Sequence, residues 1–294
     1  MIWEVAVDAS DLKMFEAVAR LGSMKRAAAE LNTVQSNVTA RIKALENDLG
    51  ISLFQRHARG VTITGPGQRM LPFAGQITKL LADARAAAKD DGTPNGPLKI
   101  GSLETTTAMR LAPLLSNFTL AYPEVQLVVT TGTTAQLVTE LLEYRLDGAF
   151  VAGPVEHPDL DRQVVFIEEL VLVTSPSVTD PSSLTKCGTL RTIVFQYGCS
   201  YRQKLEAVLS GMGIANARPL ELGSLDAMIA CVSAGVGVTL LPRRVVAHAA
   251  SEGNVSAHAL PQIHANVETL FIRRKDTYVS SAMRAFLELC DTQT

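Results

Sequence analysis

The stretch Leu31–Gly50 contains polar side chains whose types and spacing are suited to reading the edges of nucleic-acid bases. Apolar residues recur every three or four positions and predict the buried face of a helix. They are Val38, Ile42, Leu45 and Leu49. The opposite face carries amides, hydroxyls and cations, namely Gln35, Ser36, Asn37, Thr39, Arg41 and Lys43. Amides can form paired hydrogen bonds with adenine edges, arginine can contact other base edges, and lysine can contact phosphates.

Two short helices are predicted before this helix and two short strands after it. Asp11–Gly22 and Ser23–Asn32 each predict a helix, and Ser23 is placed to cap the second one. Leu53–Gly67 reads as two strands around a cationic turn at Gly60, which predicts a wing. A helix-turn-helix followed by a wing explains the polar face better than the alternative, a solvated helix in a small bundle.

Charge is unevenly distributed along the chain. The 294 residues carry a formal net charge of −2, but Lys13–Arg59 contains eight basic and four acidic side chains. A local positive excess favours phosphate binding, although a basic solvated face would show the same excess. One end of the molecule is therefore predicted to be basic.

Two signatures in this region are typical of one family. Leu45–Gly50 and Leu53–Arg56 fit L-E-x-x-L-G and L-F-x-R, within the run AAAELNTVQSNVTARIKALENDLGISLFQRHARGVTITGPG. The chain resembles LysR-type transcriptional regulators over nearly its whole length and, within them, is most similar to the glutamate-synthase regulator group. The resemblance implies that Gln35, Ser36, Asn37, Thr39 and Arg41 lie at the major groove, and that Lys25, Lys43, Arg56 and Arg59 contact phosphate. Ser23, Arg26 and Thr33 complete the candidate DNA-contacting residues.

Two positions depart from the pattern of that family. Val34 stands where a serine or threonine often caps the recognition helix, so Thr33 is expected to cap it instead. Ala40 stands where arginine is frequent, which removes one expected contact with a base or a phosphate. The first ten residues extend beyond the usual start of the family and are assigned no role.

A narrow apolar seam follows the wing. Its members are spaced alternately four and three residues apart, as in a coiled coil. They are Met70, Ala74, Ile77, Leu81 and Ala84. The segment ends in the turn-rich stretch Asp90–Pro97, so it predicts a long linker helix that pairs two subunits rather than a helix packed on its own domain. Two half-sites about 34 Å apart require two paired recognition helices.

The rest of the chain alternates short β-rich runs with helical stretches, which predicts parallel sheets built from βαβ units. The runs begin at Leu98, Val125, Asp147, Thr192, Ala217 and Gly235. Extended pieces at Val164–Thr174 and Val267–Arg273 predict two lobes with two crossings between them. This arrangement is similar to the effector domain of the family and to type 2 periplasmic binding proteins.

Hydroxyl-rich loops follow the predicted strands, at the edge where open α/β sheets bind ligands. Helix N-termini offer N–H groups to anions there, so the expected effector is a small carboxylate. The candidate effector-binding residues are Ser102, Thr105, Thr106, Thr131, Thr133, Thr134, Phe195, Gln196 and Arg202. Thr106 and Thr133 are expected to touch the ligand, with Phe195 on its apolar part and Arg202 as a second anchor. The alternatives are ordinary helix capping by the threonines and an exposed arginine.

Composition and motifs exclude several classes of function. With 47% hydrophobic and 19% charged residues the sequence is globular, and no apolar run is long enough to span a membrane. The N-terminus shows no export signal, which a solute-binding transport protein would need, so a cytoplasmic protein is expected. The four cysteines and five histidines are scattered, so neither a disulfide framework nor a metal site is predicted. The motifs of nucleophilic catalysis and phosphate loops are missing, and an enzyme is not expected.

These observations predict a sequence-specific transcriptional regulator controlled by a small-molecule effector, without another cofactor. The alternative is a thiol-based redox sensor using Cys187 and Cys199, which fall in the lobe where peroxide-sensing members of the family carry their reactive pair. The predicted domains are a winged helix-turn-helix (1–66), a linker and dimerisation helix with its hinge (67–96) and a two-lobed α/β effector-binding domain (97–294). Expected partners are double-stranded promoter DNA, the effector, RNA polymerase and further copies of the chain in a homodimer or homotetramer.

Overall fold

The computed structural model describes residues 7–57, 60–186, 189–214 and 216–291. Arg59 and Cys187, two of the candidate residues, lie outside the described residues. The chain divides into two compact units. One unit contains the chain up to Asp91 together with Leu142–Arg145, and the other contains the remainder. None of the helices in the described ranges is both long and apolar enough to cross a membrane.

The first unit contains the predicted helix-turn-helix and wing. Its elements are α1 (Ala9–Leu21), α2 (Met24–Glu30), α3 (Gln35–Leu49), β1 (Phe54–His57), β2 (Gly60–Ile63) and α4 (Gly65–Lys89). Val38, Ile42 and Leu45 of α3 are fully buried in one core with Phe15 and Val18 of α1. Burying a side chain of this size contributes about 1.5–3 kcal/mol, so this core fixes which face of α3 turns outward.

The wing is anchored to the end of α1. β1 and β2 form an antiparallel ladder in which Phe54 pairs with Ile63. The backbone N–H of Val61 donates to the carbonyl oxygen of Gly22 (3.1 Å), and a Cβ on residue 60 would lie 2.6 Å from that oxygen. Gly60, whose φ is +139°, is therefore required for the close approach of the wing to α1.

The predicted seam divides into two parts on α4. Met70 and Ala74 pack in the core of the winged helix-turn-helix. Ile77 and Leu81 are each 42% exposed, and Ala84 is exposed as well. The first part of the seam therefore packs on its own unit, and the second part presents apolar side chains at the surface of that unit.

The second unit consists of two α/β lobes joined by two long strands, β6 (Leu160–Thr174) and β11 (Asn266–Arg274). The first lobe contains β3 (Gly96–Ser102), α5 (Glu104–Thr106), a π-helical turn (Thr107–Leu111), α6 (Ala112–Ala121), β4 (Val125–Thr131), α7 (Thr134–Leu142), β5 (Gly148–Ala152) and α12 (Ser281–Asp291). The second lobe contains a 3₁₀ helix (Pro181–Lys186), β7 (Leu190–Val194), α8 (Ser200–Gly211), β8 (Ala217–Glu221), α9 (Leu225–Ser233), β9 (Thr239–Pro242), α10 (Arg243–Ser251), β10 (Ser256–Ala259) and α11 (Gln262–Ala265).

The strand pairing confirms two lobes with two crossings. β3 pairs in parallel with β4 and β5, and β7 pairs in parallel with β8. β6 pairs antiparallel with β11 and, further along, with β9 and β10. Of these four strands only β9 belongs to a run that was expected in a parallel sheet, and its antiparallel pairing with β6 differs from that expectation, although Val238, directly before β9, forms a parallel bridge with Thr192 of β7. β6 and β11 are antiparallel because β6 leaves the first lobe and β11 returns to it in the opposite direction. Loops nevertheless follow the carboxyl ends of β3, β4 and β7, as the sequence predicts.

Candidate functional site

α3 presents its polar face at the surface of the first unit. Gln35, Ser36 and Asn37 are exposed in the first turn, and Lys43 is exposed two turns later. Asn37 Nδ2 donates a hydrogen bond to Thr33 Oγ1 (3.0 Å), which orients that amide before any DNA binds. The exposed amides and the ammonium are available to base edges and phosphates, as the sequence predicts.

The turn that precedes α3 differs from the prediction. Val34 is the N-cap residue, and no side chain caps the helix. The Thr33 hydroxyl accepts from the Asn37 side chain, so the expectation that Thr33 caps α3 is wrong. The backbone N–H of Thr33 donates to the Ala28 carbonyl oxygen (2.9 Å) and thereby tightens the turn. The N–H groups of the first turn of α3 remain without a side-chain cap and favour a phosphate at this helix end.

Arg41 forms ion pairs within the unit. Its guanidinium lies 3.2 Å from a carboxylate oxygen of Asp8 and 3.2 Å from one of Asp11, both at the start of α1. Asp8 also caps α1, because its Oδ1 accepts from the backbone N–H groups of Ser10 (2.6 Å) and Asp11 (2.9 Å). The bond from the Asp11 N–H lowers the pKa of the Asp8 carboxyl. Sequence reasoning missed this pair, although an aspartate directly before a helix is a recognisable capping signal.

Glu46 gives the L-E-x-x-L-G signature a structural meaning. Its Oε1 accepts hydrogen bonds from the backbone N–H groups of Leu53 (2.8 Å) and Phe54 (3.1 Å), where the wing begins. Its Oε2 lies 4.0 Å from the guanidinium of Arg56, an exposed residue of β1. The carboxylate therefore joins the recognition helix to the wing and sets the position of one predicted phosphate contact.

The remaining predicted DNA contacts lie on α2 and α3. Lys25 and Arg26 are exposed, and Thr39 is half-buried. Ser23 caps α2, because its hydroxyl accepts from the backbone N–H of Arg26 (3.3 Å), so the capping expectation for Ser23 is confirmed. The guanidinium of Arg26 also donates to the carbonyl oxygen of Leu21. Which of these side chains contact DNA stays a prediction.

A cavity of about 150 Å³ lies between the two lobes of the second unit. Its walls include the loops that follow β3, β4 and β7, which is where ligands bind in open α/β sheets. The predicted residues that line it are Thr105, Thr131, Thr133, Thr134, Phe195 and Gln196. Lining residues with polar side chains that were not among the predicted effector residues are Glu104, Gln136, Ser200 and Tyr201, together with Cys199 of the redox alternative. The structure therefore brings both hydroxyl clusters and the aromatic residue together.

Three predicted effector residues are not among the described residues that line the cavity. Ser102 is fully buried at the end of β3, and its hydroxyl donates to the Leu103 carbonyl oxygen (3.1 Å). Thr106 is buried in α5. Arg202 forms ion pairs with Glu206 (3.2 Å) and Glu221 (2.6 Å), so two carboxylates already neutralise the guanidinium. The role of second anchor that we expected for Arg202 does not fit this geometry.

Two of the lining threonines also have structural partners. Thr133 and Gln136 form a reciprocal capping pair at the start of α7: the Thr133 N–H donates to Gln136 Oε1 (2.9 Å), and the Gln136 N–H donates to Thr133 Oγ1 (3.4 Å). Thr134 Oγ1 accepts from the Ala152 N–H (3.3 Å) and from the Ser200 hydroxyl (3.2 Å). Helix capping, one of the alternatives raised by the sequence, therefore accounts for the Thr133 hydroxyl.

Two other hydroxyls of the cavity wall lie close to each other and have no further hydrogen-bond partner among the described residues. Thr105 Oγ1 and the Tyr201 OH are buried, and neither makes a hydrogen bond of good geometry with any described residue. Thr105 is 1% exposed and Tyr201 is 4% exposed. Burial raises the pKa of the Tyr201 hydroxyl to about 12, and hydrogen bonding with the Thr105 hydroxyl only partly offsets that effect. A phenol is protonated at neutral pH even at its ordinary pKa of about 10, so Tyr201 is able to donate and the raised pKa only makes its ionisation still less favourable.

Hydrogen bonds cross from one lobe to the other around the cavity. The Ala135 N–H donates to the Gly198 carbonyl oxygen (3.3 Å), and the backbone N–H of Leu225 donates to Glu104 Oε1 (2.8 Å). Gly198 has φ of +93°, and a Cβ there would lie 2.7 Å from the Cβ of Ala135. A side chain at this position would therefore push the lobes apart, which makes glycine necessary for the observed closure.

Cys199 lies in the same cavity wall, directly before α8. Burial raises the pKa of its thiol and outweighs the opposite effect of the backbone N–H groups of Arg202 and Tyr201. A raised pKa disfavours the thiolate, which is the reactive form. Cys187, the second thiol of the redox alternative, is outside the described residues.

These features define a class: a winged helix-turn-helix DNA-binding protein whose second unit holds a ligand-sized cavity between two lobes. Residues 9–68 match the bacterial regulatory helix-turn-helix proteins of the LysR family, and residues 91–294 match the LysR substrate-binding domain. The chain belongs to the LysR family. It is a DNA-binding transcriptional regulator with an effector-binding domain.

Individual relatives agree with this assignment. The chain is 46% identical to the HTH-type transcriptional regulator GltR of Bacillus subtilis (strain 168), over 94% of this chain and 93% of that protein. Among solved structures it is similar to full-length CbnR in complex with its target DNA (TM-score 0.63, 24% identity, 98% of this chain and 100% of that chain). It is also similar to a full-length OxyR variant from Pseudomonas aeruginosa (TM-score 0.69, 20% identity, 98% and 94%). At such identities the two structures show a shared fold.

Proposed function

We propose that this regulator responds to a small carboxylate bound in the cavity between the two lobes. The observation that supports this most strongly is the pair of neighbouring buried hydroxyls of Thr105 and Tyr201, two residues that line the cavity. Among the described residues they have no hydrogen-bond partner of good geometry and can pair only with each other. Buried polar groups in folded proteins are nearly always hydrogen-bonded, and two hydroxyls that can pair only with each other keep unused hydrogen-bonding capacity, which favours a polar ligand. Thr105 thus replaces Thr106 as the residue that we expect to touch the effector.

The helices around the cavity favour an anion. Thr134 and Ser200, the first residues of α7 and α8, both line it. Each N-terminus contributes about half a positive charge, although at α7 the N–H groups of Thr133, Ala135 and Gln136 already donate within the protein. Phe195, which is half-buried in the same wall, offers a surface for an apolar part of the ligand.

Effector control follows from ligand binding to both lobes. A ligand that contacts Thr105 in the first lobe and Tyr201 in the second binds the closed arrangement more tightly than an open one. The bound state thereby increases the population of one arrangement of the effector domain. We propose that this shift alters how paired subunits hold promoter DNA, through exposed side chains such as Gln35 and Asn37 of α3.

The proposal includes an assembly and a location. We propose that α4 pairs two copies through its exposed seam, in a homodimer or homotetramer, and that RNA polymerase is a further partner on the promoter. The protein acts in the cytoplasm, where its DNA target lies. We also propose that it catalyses no reaction, in line with relatives that are described as transcriptional regulators, and that it needs no cofactor besides the effector.

The hydroxyls provide the direct test. Thr105→Val and Tyr201→Phe keep nearly the same volume but remove one donor each, which should weaken binding by about 1–3 kcal/mol where a ligand oxygen loses its partner. Full-length protein is titrated with a panel of small carboxylates, and the melting temperature and promoter affinity are followed. Thr119→Val is the matched control, because the Thr119 hydroxyl donates to helix carbonyls of α6 and lies outside the cavity.

The expected result is that a carboxylate raises the melting temperature of wild type and the Thr119 variant at lower concentration than that of the cavity variants. Promoter affinity without added carboxylate should stay close to that of wild type. An identical carboxylate response in all four proteins would show that the cavity is not the effector site.

A further inference from the structure

Glu104 is the one charged side chain among the described residues that line the effector cavity. The polar groups around it include the hydroxyls of Thr105 and Tyr201 and the amides of Gln136 and Gln196. A ligand whose single charge is a carboxylate would therefore enter a small cavity that already contains a negative charge and no compensating cation among the described lining residues. Like charges at short distance repel strongly where water is displaced.

Only part of the hydrogen-bonding capacity of the Glu104 carboxylate is used within the protein. Its Oε1 accepts from the backbone N–H of Leu225, the first residue of α9 in the opposite lobe. Within the described residues the structure gives this carboxylate no second hydrogen bond or ion pair, although an ionised carboxylate has about four acceptor sites. Glu104 therefore ties the two lobes together and still offers acceptor capacity to a donor in the cavity.

Donors and an acceptor thus line the same small volume. The Tyr201 phenol and the Thr105 hydroxyl supply donors to an anion. Glu104, adjacent to Thr105 in the chain, supplies an acceptor that a carboxylate ligand cannot use. A ligand that satisfies all three side chains must carry an anionic group and a cationic or strongly donating group.

We infer that the effector is a zwitterion of the α-amino acid class, with its ammonium group at Glu104 and its carboxylate at Thr105 and Tyr201. This inference rests on the proposed carboxylate site and adds the second half of the ligand. A zwitterion is neutral overall, so it brings no net charge into the cavity. It also reaches a side chain that already bridges the lobes, which connects ligand binding to their closure.

The Glu104→Gln variant tests the negative charge of Glu104 separately from its hydrogen bond to Leu225. The glutamine carbonyl oxygen can still accept from the Leu225 N–H, so the bridge between the lobes is retained while the negative charge is lost. Asp226→Asn is the matched control, because Asp226 is an exposed acid in the first turn of α9 and is not among the described lining residues. Full-length proteins are screened with the twenty L-amino acids and with the matching carboxylic acids that lack the amino group, by melting temperature and then by calorimetric Kd.

Wild type and the Asp226 variant should bind at least one amino acid about tenfold or more tightly than its matching carboxylic acid, because only the amino acid pairs with Glu104. Glu104→Gln should remove that preference, by weakening the amino acid and leaving the carboxylic acid unchanged or tighter. Binding of carboxylic acids as tightly as amino acids by wild type would overturn the zwitterion and leave the carboxylate cavity standing. Failure of every compound to raise the melting temperature of wild type would overturn both.

Discussion

The DNA-binding unit and the effector cavity present their polar groups in opposite ways. Gln35, Ser36 and Asn37 belong to one helical turn and are exposed, so they can meet a large ligand without rearrangement. Thr105 and Tyr201 come from two lobes, and among the described residues their buried hydroxyls can pair only with each other. The difference follows from ligand size, because a helix reads the groove of a rigid polymer from outside, whereas a small molecule is enclosed.

Exposure has a different meaning on α4, where the apolar side chains of Ile77 and Leu81 are exposed as well, and this gives the largest predicted effect. Ile77→Asp or Leu81→Asp would place an unpaired carboxylate between two helices, at a cost of several kcal/mol to the pairing. Sedimentation should show loss of the oligomer, and cooperative promoter binding should be lost with it.

Gln76→Glu is the control for the seam, because it adds a charge at an exposed position of the same helix outside the predicted seam. It should sediment as wild type does. If the Ile77 and Leu81 variants kept the wild-type oligomer, α4 would not be the pairing element, and its exposed apolar residues would need another explanation.

The next prediction concerns the exposed amides of α3. Gln35→Ala or Asn37→Ala should weaken binding to the specific promoter by about 1–3 kcal/mol while leaving non-specific binding nearly unchanged. Lys43→Ala should weaken both kinds of binding and reduce the dependence of affinity on salt. Fluorescence anisotropy with specific and scrambled duplexes at several salt concentrations measures both effects.

The Gln35 and Asn37 variants also test the comparison between the exposed polar groups of α3 and the buried polar groups of the cavity. If they bound the promoter as tightly as wild type, exposure of polar groups would not identify the reading surface, and α3 would not be the reader. Equal losses on specific and scrambled DNA would instead show that these amides act on the DNA backbone.

Replacing Glu46 is expected to have a smaller effect, and that effect is on the stability of the folded protein. Glu46→Ala removes the acceptor of two backbone N–H groups, those of Leu53 and Phe54, and should cost about 1–3 kcal/mol of unfolding free energy, reduced where water reaches the freed groups. Asp48→Ala, at an exposed position of the same helix, should cost less. Denaturant unfolding of the full-length variants compares them, and equal midpoints would contradict the role of Glu46 in holding the wing.

The same contrast explains what the sequence can predict. The recognition helix was predictable because its pattern is local: the buried Val38 and Ile42 fix which side of α3 faces outward. The cavity was predictable in outline, because loops after parallel strands converge at one edge of a sheet. Its details depend on helical register and on distant segments. Thr105 lines the cavity and Thr106 does not, although they are neighbours, and Tyr201 meets Thr105 only through the packing of two lobes.

The partners of the charged side chains Arg202 and Glu104 were the least predictable part of the candidate site. Arg202 was expected to bind a carboxylate ligand, and Glu206 one helical turn later was a visible signal for the ion pair that occupies it. Glu221 could not be anticipated, because β8 reaches Arg202 only in the folded lobe. For the same reason Glu104 gave no sign of its bond to Leu225, which is far away in the sequence.

The last prediction is of little or no change and separates effector binding from thiol sensing. Burial raises the pKa of the Cys199 thiol, so at pH 7–8 the thiolate fraction is smaller than in free cysteine and alkylation should be slow. Mass spectrometry after iodoacetamide treatment should show Cys199 labelled more slowly than free cysteine and than the half-buried Cys231. Cys199→Ser should retain the response to whichever carboxylate or amino acid raises the melting temperature of wild type, with or without reductant. Rapid labelling of Cys199, together with loss of the promoter response in the serine variant, would instead show that Cys199 acts as a redox sensor. Thr105 and Tyr201 would then have only a structural role beside it.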